Sequence, residues 1–176
     1  MKELIVISAI GSDRIGLVAD VSRIILDCGG NVLESRMTAL GNEFAILLLV
    51  SGHWHTLTKL ENEFKKLSDA ASLTISVRRT IERSPRPNTL TYSVDAVCLD
   101  QPGVLYNLAV FFTSRGIDIA DVSTRNLVAS HTGATMFTVQ LLIHIPNKIQ
   151  IASLREEFME LCDRMNLDAI LEPFKT

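Results

Sequence analysis

Two short loops share the pattern Asp-x-x-Gly, and an amphipathic helical pattern follows each of them at once. The first loop runs from Asp13 to Gly16 and the second from Asp100 to Gly103. A helix N-terminus presents free backbone N–H groups and the positive end of the helix dipole, so a carboxylate ligand is stabilised there. Glycine lets the backbone approach such a ligand closely because it has no Cβ. The pattern therefore predicts carboxylate binding, and the candidate backbone donors are Leu17 and Val104.

A polar residue stands 15 positions after each of these glycines, at the predicted start of a strand. These residues are Asn31 and Asp118. Their side-chain oxygens could accept hydrogen bonds from a ligand ammonium, so the site would suit a small zwitterion. The alternative is structural, because Asp is a common helix N-cap and Pro102 suits a first helical turn. The occurrence of the pattern twice in register favours ligand binding.

An internal repeat organises the whole chain of 176 residues. Residues 9–34 align with residues 96–121 at a constant shift of 87 positions, as from Gly16 to Gly103. Gly41 aligns with Gly133 at a shift of 92, so the second copy carries five extra residues around 129–132. Extra length of this kind is expected in a hairpin loop.

A stretch with two prolines and no apolar side chain, residues 83–88, separates the two copies and predicts a stiff linker. We therefore predict a first domain over residues 1–82 and a second over residues 89–176. Helical and alternating apolar patterns give each copy the order β-α-β-β-α-β. The predicted fold class is α+β, with two tandem ferredoxin-like domains whose antiparallel four-stranded sheets each carry two helices on one face.

The third predicted strand of the first copy, residues 44–50, is apolar on both faces. Such strands are usually covered on both sides. We therefore expect the helix-free face to be buried, or the strand edges to pair, within the chain or in a homo-oligomer.

Composition and missing motifs exclude several classes of function. The formal net charge is −3, and no predicted helix of the first copy has the basic and amide residues of a recognition helix, which argues against direct nucleic-acid binding. No stretch reads as a signal peptide or membrane span, so we expect a cytoplasmic protein without a membrane contact. The three cysteines form no CxxC pair and should be reduced structural thiols. No catalytic residues, metal ligands or cofactor motif are predicted, since His53 and His55 do not share a helix face.

The order of elements, with Asp-x-x-Gly at the first strand–helix junction, resembles the ACT domain, a regulatory amino-acid-binding module. More narrowly, residues 11–18 and residues 40–54 are similar to glycine cleavage system transcriptional repressors. The resemblance implies ligands where the loop of one copy meets the second-strand region of another. It also implies glycine or another small amino acid as effector, and a transcription-factor protein as partner. The first copy has Ile15 where many loops of the family have proline, so the two sites could differ in affinity.

Two alternatives stay open. The chain could be an interaction module that binds no ligand and uses its sheets only to associate. It could also be related to a regulatory part of a formyltetrahydrofolate deformylase, because the first loop resembles those enzymes as well. The second copy occupies the place of a catalytic domain, which disfavours an enzyme.

Overall fold

The computed structural model describes residues 3–70, 73–84, 87–129 and 133–174, without the side chains of residues 69 and 70. The chain divides into two compact units, Met1–Ser84 and Pro85–Thr176. Residues 85 and 86 of the predicted linker and residues 130–132 of the predicted insertion lie outside the described residues. No helix among the described residues is long and apolar enough to cross a membrane.

The first unit is a four-stranded antiparallel sheet with two helices. Its strands follow the order β2-β3-β1-β4. The elements are β1 (Glu3–Ser12), α1 (Leu17–Asp27), β2 (Asn31–Leu40), β3 (Glu43–Gly52), α2 (Trp54–Ala70) and β4 (Leu73–Thr80).

The second unit repeats this topology with the strand order β6-β7-β5-β8. The predicted fold class is confirmed. The elements are β5 (Thr89–Leu99), α3 (Val104–Thr113), β6 (Asp118–Val128), β7 (Thr135–Pro146), α4 (Ile151–Met165) and β8 (Asp168–Pro173).

Each unit has its own hydrophobic core between one face of its sheet and its two helices. In the first unit, Ile5 and Ile7 of β1 and Phe64 of α2 are fully buried. In the second unit, three aromatic side chains, Phe111, Phe112 and Phe158, pack with ring centroids 5.1 to 5.6 Å apart. Because alternate residues of a strand face opposite sides, burying Ile5 and Ile7 leaves Leu4, Val6 and Ser8 on the helix-free face.

The three cysteines are buried and unpaired, at Cys28, Cys98 and Cys162. Burial raises the pKa of the Cys162 thiol to about 11, and it raises the pKa of the other two thiols as well. A thiol is nucleophilic as its thiolate, so these side chains behave as small apolar groups.

The edge strands β2 and β6 carry a β-bulge at equivalent places. The register shifts between Val32 and Glu34 in β2 and between Ile119 and Asp121 in β6. The extra residue of the bulge in β2 is Leu33, and its side chain is 53% exposed.

The hairpins that follow these strands differ in length. Two residues, Gly41 and Asn42, connect β2 to β3, whereas residues 129–134 connect β6 to β7. Since β6 is also one residue longer than β2, the extra length amounts to five residues, as the repeat predicts.

Candidate functional site

The glycines that end the two Asp-x-x-Gly loops have nearly the same backbone angles. Gly16 has φ 88° and ψ −7°, and Gly103 has φ 88° and ψ −2°. These angles are those of the third residue of a type II turn, where glycine is required and the residue before it is often proline. Pro102 occupies that preceding position, and Ile15 does so in the first unit.

The glycines, and not the aspartates, are the N-caps of α1 and α3. In the part of the chain that the structure describes, no side chain caps either helix by a hydrogen bond. The structural alternative for Asp13 and Asp100 as N-caps is therefore wrong, and Pro102 lies before the helix and not in its first turn. The physical reason is that a glycine in the left-handed region ends a type II turn at the point where the helix starts.

Each helix begins with backbone donors that the fold does not use fully. The first helix-closing bonds run from Asp20 N–H to Gly16 O and from Asn107 N–H to Gly103 O, both at 2.9 Å. The N–H of Leu17 donates weakly to Arg14 O at 3.3 Å, whereas Val104 N–H has no acceptor among the described residues. The backbone N–H of the predicted donor Val104 is thus available. The N–H of Leu17 would have to break its long hydrogen bond to Arg14 O before it could bind a ligand.

Side chains around the first loop leave its aspartate unpaired. Arg14 forms a salt bridge with Asp20 at 2.6 Å, and both side chains are about half exposed. The Asp13 backbone N–H donates to Asn42 O at 3.0 Å, which fixes the loop to the β2–β3 turn. Within the described residues the Asp13 carboxylate accepts no hydrogen bond, so it can receive one from a ligand ammonium.

The second loop is held by more side-chain contacts. Asn126 Nδ2 donates to Asp100 Oδ2 at 3.1 Å, and Gln101 Nε2 donates to the Met165 carbonyl at 2.9 Å. No sequence pattern distinguishes Asn126, because the residue 87 positions earlier is Ala39 and the repeat gives no signal there. Its place near the end of β6, beside the loop, is visible only in the folded sheet.

The structure does not bring Asn31 to the loop of its own unit. Asn31 pairs with Ser51 on β3, whereas the loop end of β1 pairs Gly11 with Phe44. These two rungs are roughly 23 Å apart at about 3.3 Å per residue. Asp118, opposite His144 in the second unit, is likewise at the far end of the sheet from Asp100. One small ligand cannot touch both groups of a single unit.

Each loop thus offers backbone donors and one carboxylate, whereas Asn31 and Asp118 lie at the opposite end of their own sheets. A zwitterion has a carboxylate that can accept from the backbone donors and an ammonium group that can donate to the aspartate. Among the described residues no group of three His, Cys, Asp or Glu side chains is arranged to hold a metal ion.

Comparisons with known proteins agree with this topology. Residues 3–78 match the family model of the ACT domain. The glycine cleavage system transcriptional repressor of Escherichia coli is 29% identical over 165 residues, which cover 94% of this chain and 87% of that protein. A UPF0237 protein of Methanocaldococcus jannaschii is 30% identical over 76 residues, 42% of this chain and 84% of that protein.

A solved structure of a candidate glycine cleavage system transcriptional repressor has a TM-score of 0.69 and 26% sequence identity. The match covers 100% of this chain and 99% of that one. Together with the family match and the two sheets of identical topology, it shows that the chain belongs to the ACT-domain family.

Proposed function

We propose that the protein is a cytoplasmic amino-acid sensor that regulates transcription of the glycine cleavage system through a protein partner. The effector is glycine or another small amino acid. The sensing residues are those of the two loops, Asp13, Gly16 and Leu17 in the first unit and Asp100, Gly103 and Val104 in the second. Asn31 and Asp118 contact a ligand that is bound at the loop of another ACT domain, since each of them lies far from the loop of its own unit.

The observation that carries the proposal is that neither aspartate is used to cap its helix. Two loops with the same glycine angles each carry an aspartate three residues before the N-cap of a helix. The dipole and free N–H groups attract the carboxylate of an amino acid, and the aspartate attracts its ammonium. Similarity to glycine cleavage system repressors supports glycine as the first effector to test.

Action through a partner is supported by the charge of the chain. With 17 Lys and Arg against 20 Asp and Glu, the protein has no general attraction to phosphate backbones. Ligand binding would shift the protein toward the conformation that binds the ligand more tightly, and thereby alter its affinity for the partner.

A melting-temperature panel of free amino acids tests the sensor. A ligand at 100 times its Kd stabilises the native state by about 2.7 kcal/mol, which raises Tm by several degrees in a unit of this size. The Asp13→Ala and Asp100→Ala variants should each reduce this shift. The Asp13 change should alter the Tm without ligand very little, because its carboxylate is exposed and makes no hydrogen bond among the described residues.

Matched controls remove an exposed aspartate elsewhere on a helix of the same unit. Asp27→Ala at the far end of α1 and Asp163→Ala on α4 should keep the full ligand shift. If no amino acid changes the Tm, the sensor is refuted and the ligand-free interaction module takes its place.

The route to DNA is tested separately by fluorescence anisotropy with operator DNA of the glycine cleavage genes. We expect no binding by the protein alone, and a ligand-dependent change only when the operon's transcription factor is present. Sequence-specific binding by the protein alone would contradict action through a partner.

A further inference from the structure

The helix-free face of the first unit has an apolar centre that none of the unit's described residues covers. We call it the open face, and its central side chains are Leu4, Val6, Ser8 and Ile10 of β1 and Ala45, Leu47 and Leu49 of β3. Leu47 is 51% exposed and Ile10 is 54% exposed. Val6, Leu47 and Leu49 line a shallow groove of about 220 Å³ on it. Exposed apolar surface of this kind, with polar residues around it, marks an interaction site.

The corresponding face of the second unit is polar at its centre. The shift of 87 places Asp95 at the position of Ser8, and Gln140 faces Asp95 across the strands as Leu47 faces Ser8. Gln140 Nε2 donates to Asp95 Oδ1 at 2.8 Å. Thr91 is 3.2 Å from His144 on the same face. The central positions of the two faces therefore differ in chemistry, because a hydrogen-bonded polar pair in the second unit takes the place of Ser8 and Leu47 in the first.

Charged residues stand on the two opposite rims of the open face in one row. The register aligns Glu34 on β2, Leu49 on β3, Val6 on β1 and Arg78 on β4. Glu34 is 62% exposed and lies 3.5 Å from Arg36. Arg78 is exposed and has no ion-pair partner among the described residues.

We propose that the open face is a dimer interface, and that its occupant is the open face of a second copy of this chain. A two-fold axis parallel to the strands places β2 of one copy over β4 of the other, at the same level of the row. Glu34 of each copy then lies opposite Arg78 of the other, and the apolar centres meet. An axis across the strands would instead place β4 over β4 and bring the Arg78 side chains together.

The arrangement agrees with the rules of sheet packing. Facing sheets lie about 10 Å apart with strand directions within about 30° of each other, a gap that Glu and Arg side chains bridge at the rim. A two-fold interface uses the same patch on both copies, so each rim contact occurs twice. Within the first unit the interface leaves the Asp-x-x-Gly loop free at the end of β1, and its test is independent of amino-acid binding.

Sedimentation equilibrium of the full chain and its variants tests the interface. We expect a dimer for the wild type and a dissociation constant at least about 100-fold higher for Leu47→Asp, because two buried leucines are lost per dimer. Leu26→Asp is the matched control, since Leu26 is 75% exposed on α1, on the other side of the sheet, and its change should leave the dimer intact. Leu47→Gln gives position 47 the side chain that the second unit has at the equivalent position, Gln140, and it should also weaken the dimer. It is the milder variant to use if Leu47→Asp does not fold.

Charge reversal tests the orientation. Glu34→Arg alone and Arg78→Glu alone should each weaken dimerisation about tenfold, and the double variant should recover most of that loss. A monomeric wild type at high micromolar concentration, or a dimer that tolerates both Leu47 variants, would refute the open face as the interface. Failure of the double variant to recover would refute the two-fold axis along the strands.

Discussion

The glycines of the two Asp-x-x-Gly loops have nearly the same backbone angles, but different side chains hold the two loops. In the first unit Arg14 pairs with Asp20, and Asp13 accepts no hydrogen bond among the described residues. In the second unit Asn126 holds Asp100 and Gln101 reaches Met165. The repeat therefore preserves the residues that set the backbone, while the contacts that hold the carboxylate diverge. This difference predicts a more mobile aspartate in the first unit and a more preorganised one in the second.

The largest expected effect concerns the position that follows the helix after each loop. Ile117 is fully buried in the second unit, and its counterpart 87 positions earlier is Gly30. Ile117→Ala should lower the free energy of unfolding by about 2–5 kcal/mol, because it leaves a cavity. Urea denaturation of the full chain, followed by circular dichroism, measures the change.

The converse change at Gly30 provides the control. A Cβ there would lie 3.0 Å from Ile25, 3.1 Å from Val50 and 3.2 Å from Leu60. Gly30→Ala should therefore destabilise by overpacking, by about 1–3 kcal/mol. A neutral result for both variants would mean that the two units share one core packing, contrary to the structure.

The next largest effect concerns the shared turn. Gly16→Ala and Gly103→Ala should each cost about 1–2 kcal/mol, because both place a Cβ in the left-handed region. The costs should be nearly equal, since the added Cβ meets nothing within 4 Å at Gly16 and only Asn107 Nδ2, at 3.5 Å, at Gly103. Thermal unfolding of both variants checks this, and a clear difference between them would contradict the identity of the two turns.

The smallest effect concerns the residue before each glycine. Ile15→Pro should stabilise the protein by about 0.4–1 kcal/mol, because proline restricts the unfolded chain and suits this position of a type II turn. The Ile15 side chain is fully exposed, and its backbone N–H has no acceptor among the described residues. Pro102→Ile should destabilise by a similar amount. A destabilising Ile15→Pro would show that the first loop does not share the turn of the second.

The fold was predictable from the sequence because periodic patterns carry it. The apolar stripe through Leu17, Val21 and Ile25 and the alternation in β5 depend only on local spacing, and the repeat doubles each signal. The helix caps were not predictable in the same way, because Asp13 and Gly16 both fit an N-cap. Only the backbone angles of Gly16 distinguish the two possibilities.

The candidate site was predictable only in part. Asp13 and Gly16 lie together because they are three residues apart, whereas the position of Asn31 depends on strand order and direction. β2 runs parallel to β1, so it starts at the end of the sheet opposite to the loop. The separation of only 15 residues between Gly16 and Asn31 therefore does not bring the two close together. Asn126 was missed because it contacts Asp100 across 26 positions and has no counterpart in the first copy.

The bulges at the starts of β2 and β6 have a consequence for how such a protein avoids uncontrolled polymerisation. Both strands form an outer edge of their sheet, where unpaired amide and carbonyl groups invite another strand. An extra residue there kinks and twists the edge, so a straight strand cannot extend the ladder along its whole length. Two of the four edge strands, β2 and β6, are thereby protected against the strand pairing that leads to fibres.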